Sequence, residues 1–351
     1  MQSFVFPGNI DENISRIGSA DIPYMRTDEF SAINLESEKM LLELMHCRKG
    51  KTIIYTGSGT GAMSAVVENY VSTKKKALVI NGGSFGARWV EICRYCSVPV
   101  AEFKVEFAHA PDYDELESFV ADEKPEVLLC QHHETSSGVL FDLDKISAIC
   151  RRHGVSLVVD VISSFLAEEL DMDRLGIDIC VTSSQKGLNI PPGLSIVLLS
   201  AALEGYSFAH TGYYWDFQTN LDNLRRGQTP FSPATTLYLQ LNARLKQLIA
   251  EGGEMKNIER VRHNAEVFRA ECRKYSWAMP AESPSCAVTT VQTTDDGSRR
   301  IFRGLIERYD TFIMPCGKPG MYRISHMGLQ SDEELRLLAA RMHEIETEKS
   351  L

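Results

Sequence analysis

Between about residues 50 and 200, short apolar runs alternate with longer amphipathic ones, and this alternation constrains the fold more than any other feature. "TIIYT" (52–56) precedes a glycine turn and "AMSAVVENYV". "KALVIN" (76–81) precedes "GARWVEICRYC", and "EVLLCQ" (126–131) precedes a turn and "DKISAICRRHG". "VSLVVDV" (155–161), "IDICVTSS" (177–184) and "LSIVLLS" (194–200) follow. Runs this short and this continuously apolar read as buried strands. Strands alternating with helices predict an α/β fold, a largely parallel sheet with helices on both faces.

From about residue 236 the texture changes. "TLYLQLNARLKQLIAEGG" predicts a long helix ended by Gly252. "CAVTTVQ", a polar turn "TTDDGSRR", a helix, "TFIMPC" and "MYRISH" come next. A final helix opens at Ser331, with Glu334 in capping-box spacing. The chain of 351 residues is longer than one compact domain usually needs. The expected division is an N-terminal arm (1–15), a large domain (16–235) and a small α+β domain (236–351).

A net charge of −10 argues against a nucleic-acid or anionic-membrane partner. No apolar run reaches the roughly 20 residues that span a bilayer. Nine cysteines, an odd number without disulfide-like spacing, and an N-terminus without a basic, apolar leader suit a reduced, cytoplasmic setting.

Three strand-end features point to chemistry. "TGSGTG" (56–61) joins a strand to a helix, where glycines admit an anion to free backbone N–H groups. Alone, such a turn is more often only a turn. Asp160 ends "VSLVVD", and a carboxylate there needs a cap, an ion pair or a buried cation as partner. Lys186 follows "IDICVTSS"; in a semi-enclosed site its amine becomes a neutral nucleophile. In parallel sheets, ligands gather beyond the carboxyl ends of strands. An anion cradle, a carboxylate for a pyridinium and an amine for an aldehyde together describe pyridoxal 5'-phosphate.

With these residues goes a wider set: "TGSGTGAM", "NGGSFGARW", "HHETSSGVLFDLD", "VVDVISSF", "SSQKGLNIPPG" and "YRISHMG". Over roughly 50–330 the chain resembles the class V (fold type I) pyridoxal-phosphate aminotransferases, nearest the alanine–glyoxylate and serine–pyruvate branch. The resemblance implies a mostly parallel seven-stranded sheet in the large domain and a homodimer with shared active sites. It implies that Lys186 forms the Schiff base and Asp160 pairs with the pyridinium nitrogen. Ser58, Gly59 and Thr60 would hold the phosphate, with Gln185 nearby. Phe85 would stack on the cofactor, Ile162 would press its opposite face, and Thr135 would lie near the ring hydroxyl or substrate. Arg323 would grip the substrate carboxylate, and Thr229 in "GQTPFSPATTLY" would reach the neighbouring subunit's phosphate. The implied reaction moves an amino group from a small amino acid such as alanine or serine to a 2-oxo acid such as glyoxylate or pyruvate.

Other readings stay open at this point. "NGGSFGAR" and "PYMRTDEF" are similar to 2-aminoethylphosphonate–pyruvate transaminases, although Gln185-Lys186 departs from their more frequent Asn-Lys. A cysteine desulfurase or lyase of the same fold would need a loop cysteine, for which Cys316 is the candidate. A non-enzymatic cofactor-binding sensor module would be fused to a basic DNA-binding arm, of which the sequence has no sign. "CRYC" (93–96) is a lone pair at helical spacing, and "HH" (132–133) lacks a spaced third ligand, so metal is not expected at either. Trp89 and Trp215 are read as packing or interface residues.

Overall fold

The computed structural model describes residues 1–348. Its main sheet has seven strands: β1 (Lys51–Thr56), β2 (Ala77–Asn81), β3 (Val100–Lys104), β4 (Val127–Gln131), β5 (Ser156–Asp160), β6 (Ile179–Ser183) and β7 (Leu194–Leu199). Their spatial order is β1-β7-β6-β5-β4-β2-β3. β3, β2, β4, β5 and β6 are parallel, whereas β7 runs antiparallel to both β6 and β1. Because β7 opposes both neighbours, β1 points the same way as β5 and β6. The segments after Thr56, Asp160 and Ser183 therefore open at one edge of the sheet.

Burial on both faces explains the unbroken apolar runs. Leu128, Cys130, Leu157 and Val159 enter one core, with Phe30 and Leu41 of α1 (Asp28–Leu44). Leu129, Val158, Val181 and Val197 enter the other. There they meet Met63 and Val66 of α2 (Gly59–Asn69) and Trp89 of α3 (Ser84–Tyr95). The helix α4 (Leu143–His153) opens at Asp142, whose side chain accepts from the Lys145 N–H, and stops at Gly154 in the left-handed region.

The long helix expected after residue 236 is α5 (Thr235–Ala250), followed by α6 (Gly253–Lys274). Gly252, φ +113°, makes the turn between them. Tyr238, Leu241, Leu245 and Leu248 of α5 pack into the core of the large sheet. Phe268 and Cys272 of α6 enter a separate core with α7 (Arg300–Tyr309) and α8 (Asp332–Thr347). That core covers a three-stranded sheet of β8 (Val288–Gln292), β10 (Met321–Ser325) and β9 (Met314–Pro315), in that order. At the start of α8, Ser331 and Glu334 form the expected capping box. The first residues straddle both cores: Gln2–Ser3 pairs with Thr311–Phe312, Phe4 joins the small core and Ile14 the large one.

Candidate active site

α2 begins directly beyond β1. Ser58 is its N-cap, and its side chain makes no capping bond, so the Gly59 and Thr60 N–H groups and the exposed hydroxyl are left as donors. Gly59 packs directly under Ile162: a Cβ there would lie 2.6 Å from Ile162 Cδ1, which would have to shift. Trp215 floors the turn, since a Cβ on Gly57 or Gly61 would lie 3.3 or 2.7 Å from its ring. Arg88 of α3 donates to Thr60 Oγ1 at 3.3 Å and brings a positive charge to the cup. Ser58, Gly59, Thr60 and Ile162 are thus neighbours.

Asp160 is buried at the end of β5, and its Oδ1 accepts from the Ile162 N–H at 2.8 Å. Burial pushes its carboxyl up to about 7, against that hydrogen bond and the pull of the Lys186 and Arg88 charges. Lys186 is buried in the turn after β6, which closes with the Asn189 N–H donating to its carbonyl at 2.8 Å. Burial lowers its amine to about 7, with Arg323 adding to the shift and Asp160 opposing it. A carboxylate and an amine, buried at the ends of neighbouring strands, thus lie close enough to feel each other's charge. Each would gain from a ligand of complementary charge or reactivity.

Phe85 lies in the first turn of α3. The buried Glu134 carboxylate receives the N–H groups of Phe85 and Gly86, both at 3.2 Å, and so fixes the helix end that carries the ring. The Arg88 guanidinium lies 5.1 Å from the Phe85 ring centroid. Thr135 shares a hydrogen bond with Ser163 Oγ at 2.5 Å. Arg323, on β10, donates to the carbonyls of Thr135 (3.2 Å) and Pro315 (3.3 Å), while its buried Nε has no partner. Gln185 is half-buried beside Ser184, whose hydroxyl reaches its Oε1 at 3.4 Å. Thr229 is apart from this group within the chain: its hydroxyl donates to the Phe231 carbonyl at 2.7 Å. The 228–234 loop nevertheless borders the cup, because the Ala234 N–H donates to Thr56 Oγ1.

The sequence reading passed over Arg88, Glu134 and Phe6. Arg88 follows Phe85 by one helical turn inside the quoted "NGGSFGARW", a spacing that could have exposed it. Phe6 left no signal, since its contact with the Lys186 amine spans 180 residues.

The Aminotransferase class-V family model matches residues 23–223. A soluble hydrogenase 42 kDa subunit from Anabaena cylindrica is 31% identical over 322 residues, covering 88% of this chain and 83% of that protein. The hydrogenase name is a statement about that protein. The serine–glyoxylate aminotransferase of Hyphomicrobium methylovorum is 27% identical, with 96% of this chain and 87% of that one covered. Among solved structures, an aspartate aminotransferase from Thermus thermophilus superposes with a TM-score of 0.89 at 25% identity, over 98% of each chain. This chain belongs to the class-V aminotransferases.

Aminotransferases of this class generally use pyridoxal phosphate, and the residues here fit that group. The uncapped turn at 58–60 offers donors for a phosphate. The buried Asp160 suits a protonated ring nitrogen, and the dehydrated Lys186 suits an aldehyde. His132 and His133 are buried beside this site, and burial drives both far toward the neutral form. His133 Nδ1 faces the Ser163 carbonyl at 3.3 Å. Cys93 is buried in the core under α3, and Cys96 lies half-buried at the helix end. Trp89 is fully buried, as a packing residue would be.

Proposed function

We propose that this aminotransferase binds pyridoxal 5'-phosphate through Lys186 and moves an amino group from a small amino acid, of alanine or serine size, to glyoxylate or pyruvate. The observation that carries the proposal is the burial of Lys186 and Asp160 at strand ends that share one sheet edge with the uncapped turn at Ser58–Thr60. The cofactor, when bound, supplies a conjugated ring that accepts the electrons left when the substrate Cα–H bond breaks. The residues supply the rest. The Lys186 amine, kept neutral by its dry surroundings, would take the proton from the substrate Cα. Asp160 would keep the ring nitrogen protonated through a charge-assisted hydrogen bond. Ser58, Gly59, Thr60, Gln185 and Arg88 anchor the phosphate. Phe85 and Ile162 would hold the ring, with Thr135 near it.

Arg323 receives the substrate carboxylate with its fork. Its carbonyl contacts leave it without a neutralising carboxylate partner, which suits an anionic ligand. We also propose a homodimer. Tyr213, 87% exposed, lies beside Tyr214 and Phe231, whose rings stack at 5.2 Å. An exposed aromatic patch next to the cup suits a second copy, which would bring its own Thr229 to the phosphate. A cytoplasmic location remains the reading from the free cysteines; among the described residues no helix is long and apolar enough to cross a membrane.

The test is a panel of donors (alanine, serine, aspartate, glutamate, 2-aminoethylphosphonate) against glyoxylate and pyruvate. Conversion of small amino acids is expected, with two substrates reacting in turn and parallel double-reciprocal plots. Turnover of the phosphonate alone would overturn the substrate assignment.

A further inference from the structure

The ring of Phe6 covers the reactive amine of Lys186, with 3.1 Å between Nζ and the ring centroid. Phe6 comes from the N-terminal arm, far from the motifs that build the rest of the site. The arm is fixed on both sides of this contact. Toward the small domain, the Ser325 N–H donates to the Phe4 carbonyl at 2.9 Å, and the Leu329 N–H donates to the Asn9 carbonyl at 3.1 Å. Toward the lysine turn, Asn189 Nδ2 donates to the carbonyls of Pro7 (2.7 Å) and Asn9 (3.1 Å). Gly8, at φ +81°, packs so closely on Gly328 that a Cβ would lie 2.8 Å from its Cα. The Phe6 backbone is therefore tied at once to the strand that carries Arg323 and to the turn that carries Lys186.

Proton transfer requires the substrate Cα to come within about 3–3.5 Å of the Lys186 nitrogen. A ring 3.1 Å from that nitrogen is then within reach of whatever else Cα carries. With the donor carboxylate on the Arg323 fork, its side chain must share the space at Cα with Phe6. The ring can turn, but its tethered backbone cannot retreat. We infer that Phe6 is a specificity-determining residue: it sets the size of the donor side chain and restricts the enzyme to small ones. This rests on the amino-acid reading of the function given above.

The decisive comparison is kcat/KM for alanine against leucine, in wild type, Phe6→Ala and Phe6→Leu. One buried methylene is worth about 10- to 200-fold in selectivity. Phe6→Ala is therefore expected to raise the leucine-to-alanine ratio at least tenfold, and Phe6→Leu by less. In the cofactor-free protein, the pH dependence of Lys186 acylation, read by peptide mass spectrometry, gives a second measure. Removing the ring admits water, so the midpoint is expected to rise from near 7 toward the ordinary lysine value. Rates that fall in parallel for both donors, or a ratio unchanged in both variants, overturn the inference while leaving the aminotransferase assignment intact. A wild-type enzyme that converts no amino acid overturns that assignment, and the inference with it. If Phe6→Ala does not fold, Phe6→Leu alone decides between the two outcomes.

Discussion

Gly187, one residue beyond Lys186, offers a demanding test of how the site is held. A Cβ added there would lie 2.0 Å from the Phe165 carbonyl oxygen, where about 3.0 Å is the closest approach found. It would also lie 3.1 Å from the Phe165 carbonyl carbon and 3.0 Å from Leu166 Cβ. The obstacle is backbone, and it is fixed: the Phe165 N–H donates to the Val161 carbonyl at 2.9 Å, and Leu166 already sits at φ +64°. In Gly187→Ala the lysine turn must therefore yield by about 1 Å, carrying Lys186 with it. Misplacing a reacting group by ~1 Å costs on the order of 100-fold in rate. Overpacking adds roughly 1–3 kcal/mol of destabilisation. The assay is a single-turnover half-reaction, followed by the cofactor absorbance at saturating amino donor, with thermal unfolding to confirm an intact fold. A folded Gly187→Ala enzyme whose half-reaction stays within threefold of wild type would refute the reasoning.

Three further substitutions probe the individual roles. Lys186→Ala is expected to abolish transamination while retaining cofactor binding through the cup and Asp160; near-normal turnover would contradict its assignment. Arg323→Ala is expected to raise KM, or lower kcat/KM, for carboxylate-bearing donors by roughly 10- to 100-fold, a charged hydrogen bond being worth about 1.5–3 kcal/mol. An unchanged preference over a carboxylate-free amine would exclude it as the anion grip. For Asp160 the sign with pH can be worked out. Its folded value, about 7, lies above the ordinary 3.8, so burial favours the neutral form. The stability this gives is complete below pH ~4 and is lost as pH rises to about 7, at ~1.4 kcal/mol per pH unit and so at most about 4 kcal/mol. In the cofactor-free protein, Asp160→Asn is expected to melt higher relative to wild type at pH 8 than at pH 4. With cofactor bound, the same variant is expected to slow Cα proton abstraction by orders of magnitude. A melting difference independent of pH would show that the carboxyl is not dehydrated.

Much of the scaffold was legible because local rules and the fold agree. The runs "EVLLCQ", "VSLVVD" and "IDICVTSS" can only be buried strands, and Gly154, Gly252 and Ser331 punctuate helices by backbone chemistry that needs no partner. The α5 helix was legible as a helix, but not in its packing. Its periodicity fits either core, and Tyr238, Leu241 and Leu245 lie against the large sheet. Gly187 carried no signal of its own in the sequence, because the Phe165 backbone that excludes a side chain there lies about 20 residues away and meets it only in the folded chain.

The order of residues alone thus settled the α/β alternation and the family, and it pointed to three strand ends as the candidate site. These depend on hydrophobic spacing and on turn chemistry within a few residues. Only the folded chain decided that β7 reverses between β6 and β1, so that the cup, Asp160 and Lys186 share one edge. Only the folded chain set Glu134 under the helix of Phe85, Arg88 at Thr60 and Phe6 over the Lys186 amine. Such contacts join segments that are remote along the chain, and burial, which moves Asp160 and Lys186 toward neutrality, exists only once those segments have closed around them.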